Sequence, residues 1–217
     1  MKKVKYIIGI DEVGRGPLAG PVTVAACCII KNFPDKKNKK EKLPPLRDSK
    51  QLSETQREAW FRAMRAAKKE GNIGYAIVSI KPAVIDAINI SKAANRAATK
   101  ALEKLFIQLT NKIKKNCRVL LDGGLYLNPL HSAYYLPHTK TIVKGDEKIK
   151  EVALASIIAK VTRDRMMIRL HKKHPRYGFH NHKGYGTAQH RKALRTHGPT
   201  ELHRLTFIKK YNRINKT

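Results

Sequence analysis

Two apolar segments near the start of the chain, residues 4–11 and 20–30, are separated by Gly14-Arg15-Gly16-Pro17-Leu18-Ala19-Gly20-Pro21. Both segments are rich in Val, Ile and Ala and suit strands, while glycine and proline at that density stop a strand and reverse the chain. A hairpin is therefore the first element predicted. The longest apolar run, Val22 to Ile30 with Thr23 inside it, has nine residues, far short of the ~20 that span a bilayer. The stretch from Met1 to Glu12 starts like a signal peptide but reaches Asp11 and Glu12 before any usable apolar region or cleavage site. A cytoplasmic protein without a membrane segment is expected.

Lys31 to Pro45 carries lysines at 36, 37, 39, 40 and 42 and suits a solvated basic loop. Ser53 and Gln56 have the spacing of a capping box, so a helix is predicted from Ser53 to about Lys69, ended by Gly71 and Gly74. Alternation over Asn72 to Ile80 predicts a third strand. Pro82 suits the first turn of a helical stretch to about Leu109, with a break near Asn89. Arg118 to Asp122 and Lys140 to Lys144 predict two more strands, and Gly145-Asp146 leads into a helix to about Lys172. A last helix is predicted at Thr187 to Thr196, ended by Gly198-Pro199. The order β-β-α-β-α-β-β-α describes an α/β protein, a mixed sheet flanked by helices with antiparallel early strands. With 217 residues and no internal repeat, residues 1–217 are expected to form one domain, about 175–217 being a basic helical C-terminal segment packed on it. Cys27, Cys28 and Cys117 show no pairing or zinc spacing and suit buried thiols in a reducing cytosol.

Charge narrows the partners. Forty-six Lys and Arg against 16 Asp and Glu leave +30, a surface that repels itself unless it meets a polyanion, so nucleic acid is the expected partner class. Acids this scarce are informative where they occur. Asp11 and Glu12 close the first strand, Asp122 closes another, and Asp146 falls in a Gly-Asp turn before a helix. Carboxylates at the ends of different strands can meet at one edge of a sheet. In so basic a chain that meeting calls for a strong counter-charge, and Mg²⁺, which binds carboxylates, water and phosphate, is the natural candidate. Two such ions about 3.5–4 Å apart activate a water and stabilise the leaving oxygen of a phosphodiester. Each acid also has a plain alternative. Asp11 and Glu12 point to opposite faces unless the strand ends or bulges. Asp122 before two glycines suits a turn, Asp146 suits a helix N-cap, and Glu151 and Asp164 suit ion pairs along their helix.

Motifs in register favour the site. Asp11-Glu12-Val13-Gly14-Arg15-Gly16-Pro17 resembles the opening motif of ribonuclease HII, the bacterial type 2 ribonuclease H. Asp48-Ser49-Lys50 with Leu52-Ser53 resembles that family's D-S-K-x-L-S segment, Leu121-Asp122-Gly123 its strand-end aspartate, and Val143-Lys144-Gly145-Asp146 its V-K-G-D. Ala155-Ser156-Ile157 through Arg163-Asp164 is similar to its A-S-I-x-A-K-V-x-R-D helix. Tyr177-Gly178-Phe179 and His182 to Thr187 are similar to the segment carrying its substrate tyrosine. The motifs keep the family's order from about residue 6 to 207.

The resemblance implies a ribonuclease H-like fold and hydrolysis of the RNA strand in RNA–DNA hybrids. It also implies nicking on the 5′ side of single ribonucleotides embedded in duplex DNA, by a two-metal mechanism with Mg²⁺ or Mn²⁺ that leaves 5′-phosphate and 3′-OH. Carried over residue by residue, Asp11, Glu12, Asp122 and Asp146 are the implied catalytic, metal-binding acids. Gly14, Arg15 and Gly16 are implied to approach the ribose, glycine letting backbone groups reach a 2′-OH, where the loop without its surrounding motif would read as a tight hairpin turn. Tyr185 is implied to pack on the neighbouring sugar, against the alternative of a buried aromatic anchor, and Ser49 and Lys50 to hold a phosphate, against the equal alternative of a plain loop leading into a helix. A monomer is expected.

The chain departs from the family at Arg204-Leu205-Thr206-Phe207, where R-S-F is common, and in the length and basicity of Lys31 to Pro45, read as a non-specific electrostatic contact. Histidines at 171, 174, 180, 182, 190, 197 and 203 include H-x₂-H and H-x-H pairs. Without cysteines beside them, surface or phosphate-backbone positions are expected over zinc. Two other functions compete. The sister enzyme ribonuclease HIII carries an N-terminal binding domain and Glu as its last acid, whereas here the motif begins at residue 11 and the last acid is Asp146. A non-enzymatic basic nucleic-acid-binding protein would show charge without acids gathered at strand ends.

Overall fold

The apolar run after the first turn becomes a strand buried on both faces, and this fixes the layers. In the computed structural model, which describes residues 5–34, 43–128 and 138–212, that strand is β2 (Val22–Ile29), paired antiparallel to β1 (Tyr6–Val13). β3 (Ile73–Ile80) pairs antiparallel to β2 on its other side. β4 (Cys117–Asp122) runs parallel to β1, and β5 (Thr139–Ile142) parallel to β4, giving the order β3-β2-β1-β4-β5. The hairpin and the mixed sheet are as expected, each strand lying within two residues of its predicted position.

Helices cover both faces. α1 (Glu54–Lys69) opens on the predicted capping box, Ser53 Oγ accepting the Gln56 N–H at 3.2 Å and Gln56 Oε1 accepting the Ser53 N–H at 2.9 Å. The helical stretch after Pro82 breaks at Asn89 into α2 (Pro82–Ile88) and α3 (Ile90–Gln108), because Asn89 takes φ 66° and its side chain caps α3 at Lys92. A short α4 (Asn111–Lys115) follows. Ala94, Ala97 and Ala98 of α3 lie against Ile8, Ile10 and Val24, small side chains allowing close approach. On the opposite face Ala25 and Cys27 meet Trp60 and Met64 of α1 and Leu154 and Ile158 of α6 (Lys150–Lys173). The single helix predicted after Gly145 is two, α5 (Gly145–Lys148) and α6, parted by extended backbone at Ile149.

Gly9 decides where α6 sits. A Cβ there would lie 2.2 Å from backbone atoms of Glu151 and Val152, so only glycine lets the first turn of α6 rest on β1. One turn later that contact places Ser156 beside Asp11. Asp164 pairs with Lys160 at 2.9 Å as expected, whereas Glu151 has no ion pair among the described residues.

The C-terminal segment holds a 3₁₀ turn (Pro175–Tyr177), α7 (Phe179–His182), α8 (Ala188–His197) and α9 (Leu205–Asn212). Tyr177, Phe179, Leu194 and Ile208 pack with Leu18 from the first turn and Met167 from α6. The sequence reading missed α4, α7 and α9, which are too short to show periodicity. α9 is capped from far away, Asp86 accepting the N–H groups of Leu205 at 2.7 Å and Thr206 at 3.0 Å. The lysines at 36–42 of the basic loop lie outside the described residues. All three cysteines are buried and free, and no described helix is long and apolar enough to cross a membrane.

Candidate active site

Parallel pairing brings the carboxyl ends of β1 and β4 to one edge. Their ladder stops at Ile10 and Leu121, leaving Asp11 and Glu12 beyond it. β1 stays in register with β2 through Val13 opposite Thr23. The strand therefore neither ends nor bulges, and the condition set from the sequence is not how the two acids meet. A local bond joins them instead. The Glu12 N–H donates to Asp11 Oδ1 at 2.7 Å, which folds the Asp11 carboxyl back onto the main chain of its neighbour. One oxygen from each of Asp11, Glu12 and Asp122 lies within 4.8 Å of the others.

Asp122 also accepts the Gly145 N–H at 2.7 Å, tying the turn that carries Asp146 to the end of β4. Asp146 stays outside the tight trio but feels the Asp122 charge and shares a hydrogen bond with Asp48. It sits in the first turn of α5, whose cap position is Lys144, so the N-cap alternative is not what is found.

Electrostatics mark these acids as short of positive charge. Burial, then the neighbouring Glu12 carboxylate, holds Asp11 well above the usual range. Burial pushes Glu12 up to about 7 against the pull of Arg15, and burial with the Asp48 and Asp122 charges pushes Asp146 up to about 6. Glu12 Oε2 is buried without a hydrogen-bond partner among the described residues, and Oε1 has the Arg15 guanidinium at 3.4 Å. A cluster made only of carboxylate oxygens, one of them orphaned, suits a hard divalent cation such as Mg²⁺ or Mn²⁺ rather than zinc.

The other expected site residues divide. Gly14 is buried with φ +88°, and a Cβ there would lie 2.3 Å from Arg163 Nε, so its missing side chain makes room for an arginine. Gly16 is exposed, with open space where a Cβ would go. Arg15 reaches Ser91 Oγ at 3.0 Å and the Gly124 carbonyl at 3.5 Å. Lys50 is exposed, with Nζ 3.9 Å from Asp146 Oδ2. Ser49 is buried, its hydroxyl 2.8 Å from that of Ser156, which bonds Asp11. That links Ser49 through Ser156 to Asp11. Tyr185 is 41% exposed, its ring 5.9 Å from the Arg163 guanidinium, so it is not a buried anchor.

Sequence reasoning missed Asp48, Ser156, Arg163 and Arg204 as parts of this site, although each falls in or beside a quoted motif. The reading of the seven histidines as surface or phosphate contacts fails for His182, His190 and His203, which are buried. The His190 Nδ1–H donates to the Tyr185 carbonyl at 2.9 Å, and its Nε2 faces His203 Nε2 at 3.1 Å. The Thr200 N–H donates to His203 Nδ1 at 2.9 Å. Burial lowers both rings to about 4, so the chain of bonds is neutral at ordinary pH. Among the described residues the acid trio is the one group placed to hold a metal.

The chain is similar to known proteins. The family model for ribonuclease HII matches residues 8–211. A ribonuclease HII of Bacillus thuringiensis (strain Al Hakam) is 43% identical over 218 residues, covering 99% of this chain and 74% of that protein. The ribonuclease H2 of Pyrococcus horikoshii OT3 superposes with a TM-score of 0.68 and 25% identity, over 98% of this chain and 100% of that one. Bst-RNase HIII in complex with Mn²⁺ superposes with a TM-score of 0.65 at 21% identity, over 99% of this chain and 71% of that one, a likeness of fold alone.

Proposed function

The chain belongs to the ribonuclease HII family and is a hydrolytic nuclease of the ribonuclease H type, and we propose that it cuts the RNA strand of RNA–DNA hybrids. On the same reading it nicks on the 5′ side of single ribonucleotides embedded in duplex DNA, with two divalent ions. The observation that carries this reading is the trio of Asp11, Glu12 and Asp122, whose oxygens gather within 4.8 Å at one sheet edge. Membership of a nuclease family removes the non-enzymatic alternative. Relatives at 43% identity are named ribonuclease HII, which favours that family over ribonuclease HIII.

Asp11, Glu12 and Asp122 hold the ions, with Asp146 completing the set from the turn that Asp122 tethers. When bound, two Mg²⁺ or Mn²⁺ ions supply an activated water and neutralise the leaving oxygen, so that the products carry 5′-phosphate and 3′-OH. The chain's own residues place the strand. The exposed Gly16 lets backbone come close to the 2′-OH that separates RNA from DNA, with Gly14 and Arg15 shaping the same turn. Lys50 meets a phosphate beside Asp146, while Ser49 steadies Ser156 and through it Asp11. Tyr185 offers its ring to the adjacent sugar.

The test is a denaturing gel with end-group analysis on two substrates, duplex DNA with one ribonucleotide and a continuous hybrid, in Mg²⁺, Mn²⁺ or chelator. Metal-dependent cuts leaving 5′-phosphate are expected on both. Cleavage that persists in chelator, or inactivity on both substrates with either metal, overturns the reading.

A further inference from the structure

Two guanidiniums, Arg163 on α6 and Arg204 just before α9, are fully buried. Neither has an acidic side chain at ion-pair distance among the described residues. Burying a cation is costly unless its N–H groups are filled, and nearly every bond these two make goes to one turn. Arg204 donates from Nη2 to the Gly14 carbonyl at 2.6 Å, from Nη1 to that of Arg15 at 2.7 Å and from Nε to that of Gly20 at 3.0 Å. Arg163 donates from Nε to the Pro21 carbonyl at 2.9 Å and from Nη2 to that of Ala19 at 3.1 Å. Its Nη1 reaches the Lys183 carbonyl at 2.9 Å, next to Gly184 and Tyr185.

The peptide plane converts this grip into an orientation. In a trans peptide the C=O of one residue and the N–H of the next are coplanar and point in opposite directions. Arg204 pins the carbonyls of Gly14 and Arg15, so the N–H groups of Arg15 and Gly16 are aimed away from it. Neither N–H has a partner among the described residues. The main chain reinforces the hold. The Leu18 N–H donates to the Gly184 carbonyl at 2.9 Å, the Gly20 N–H to that of Leu202 at 2.8 Å, and the Arg204 N–H to that of Leu18 at 2.8 Å. His203, which precedes Arg204, leads through His190 to the Tyr185 carbonyl.

We propose that Arg204, seconded by Arg163, is a positioning residue. It aims the Arg15 and Gly16 N–H groups at the ribonucleotide and fixes the turn relative to Tyr185, so that selection of a single ribonucleotide depends on the C-terminal segment. The inference rests on the functional reading above, in which this turn meets the ribose.

Arg204→Lys keeps a cation but loses the planar fork. Two measurements are made on the full chain, amide hydrogen exchange, and cleavage rates on the single-ribonucleotide duplex and the continuous hybrid. Exchange at residues 15–20 is expected to rise while β1 and β4 keep their protection. Misplacement of reacting groups by about 1 Å can cost ~10²-fold, so the ratio of nicking to hybrid cleavage is expected to fall about tenfold or more. An unchanged ratio with unchanged exchange overturns the proposal. So does an equal loss on both substrates with exchange rising throughout the sheet, which is the mark of a merely structural role. Should the lysine variant not fold, Asp86→Ala carries the test. It releases the exposed cap that seats Leu205 and Thr206 beside Arg204, and the same ratio is expected to fall by a smaller factor; an unchanged ratio overturns the proposal. If the wild-type protein cuts neither substrate, the functional reading fails, and the exchange data still decide whether Arg204 holds the turn.

Discussion

Glu12→Gln is expected to abolish cleavage and yet to stabilise the metal-free protein at pH 8. Burial, with the Asp122 charge behind it, pushes the Glu12 carboxyl up to about 7 from its ordinary 4.5, and Arg15 only partly offsets it. Between those two values the folded protein still holds a proton that the unfolded chain has released. Stability therefore falls as pH rises from about 4.5 to about 7, and the deficit is complete above that. At 1.36 kcal/mol per unit the gap is worth roughly 3 kcal/mol. The side chain is only 8% exposed, so solvent screening takes little from this figure. A glutamine fills nearly the same volume and has no proton to lose.

For a chain of this size 1 kcal/mol moves the melting temperature by about 2–4 °C. The variant should then melt roughly 6–12 °C above the wild type at pH 8 in chelator, and level with it near pH 4. Added Mg²⁺ should raise the wild-type melt and narrow the difference, since binding to the folded state alone stabilises it. Thermal melts of both proteins at pH 4, 6 and 8, with and without Mg²⁺, check this. A variant that melts at or below the wild type at pH 8 in chelator would refute the reasoning, because the Glu12 carboxylate would then carry no burden that a cation relieves.

Asp122→Asn should cost nearly all cleavage while hybrid binding stays close to wild type, because asparagine can still accept the Gly145 N–H and no cationic contact is lost; gel cleavage within a few-fold of wild type sinks the metal role. Gly14→Ala should destabilise by about 2 kcal/mol or more, given its φ of +88° and the crowding by Arg163, whereas Gly16→Ala should melt normally. Gly16→Ala should instead lose nicking, and normal nicking would remove Gly16 from the substrate surface. Tyr185→Ala should lose up to ~10²-fold on a single embedded ribonucleotide and less on a continuous hybrid; equal losses with a lowered melt would end its role as a reader of the sugar.

Local chemistry made much of the fold legible. The turn at residues 14–21, the Ser53–Gln56 box and the break at Asn89 each depend on residues close in sequence, and each is found where expected. The acids were legible as candidates, but their convergence was not. It depends on β1 lying parallel to β4, more than a hundred residues later, and on the Asp11 carboxyl folding back onto the Glu12 N–H. The arginines misled for the opposite reason. In a chain with 46 basic residues an arginine reads as surface, yet Arg163 and Arg204 are buried because carbonyls of a distant turn fill their forks. Burial of a polar group is decided by partners from anywhere in the chain, and no local pattern carries it. His190 and His203 follow the same logic, each ring being satisfied by the other and by main-chain groups.

The charge of the molecule and the charge of its site oppose each other, and the opposition orders the events of binding. A net +30 draws a polyanion toward the surface whatever its sequence, through contacts that weaken as salt rises. At the sheet edge the sign reverses. Like charges about 4 Å apart repel by roughly 4 kcal/mol at a near-surface effective dielectric, so a phosphate brought to ionised Asp11, Glu12 and Asp122 would be pushed away. Among the described residues Arg15 is the one cation at ion-pair distance from the trio, too little to cancel it. The raised Asp11 and Glu12 answer part of this by holding their protons to higher pH than ordinary carboxylates do. A divalent ion held by Asp11, Glu12 and Asp122 would take the place of those protons and offset the local negative charge. On the proposed reading nucleic acid would rest on the basic surface without metal, and its backbone would approach the acids once metal is bound. Affinity belongs to the surface and cleavage to the edge, and a loss of one need not bring a loss of the other.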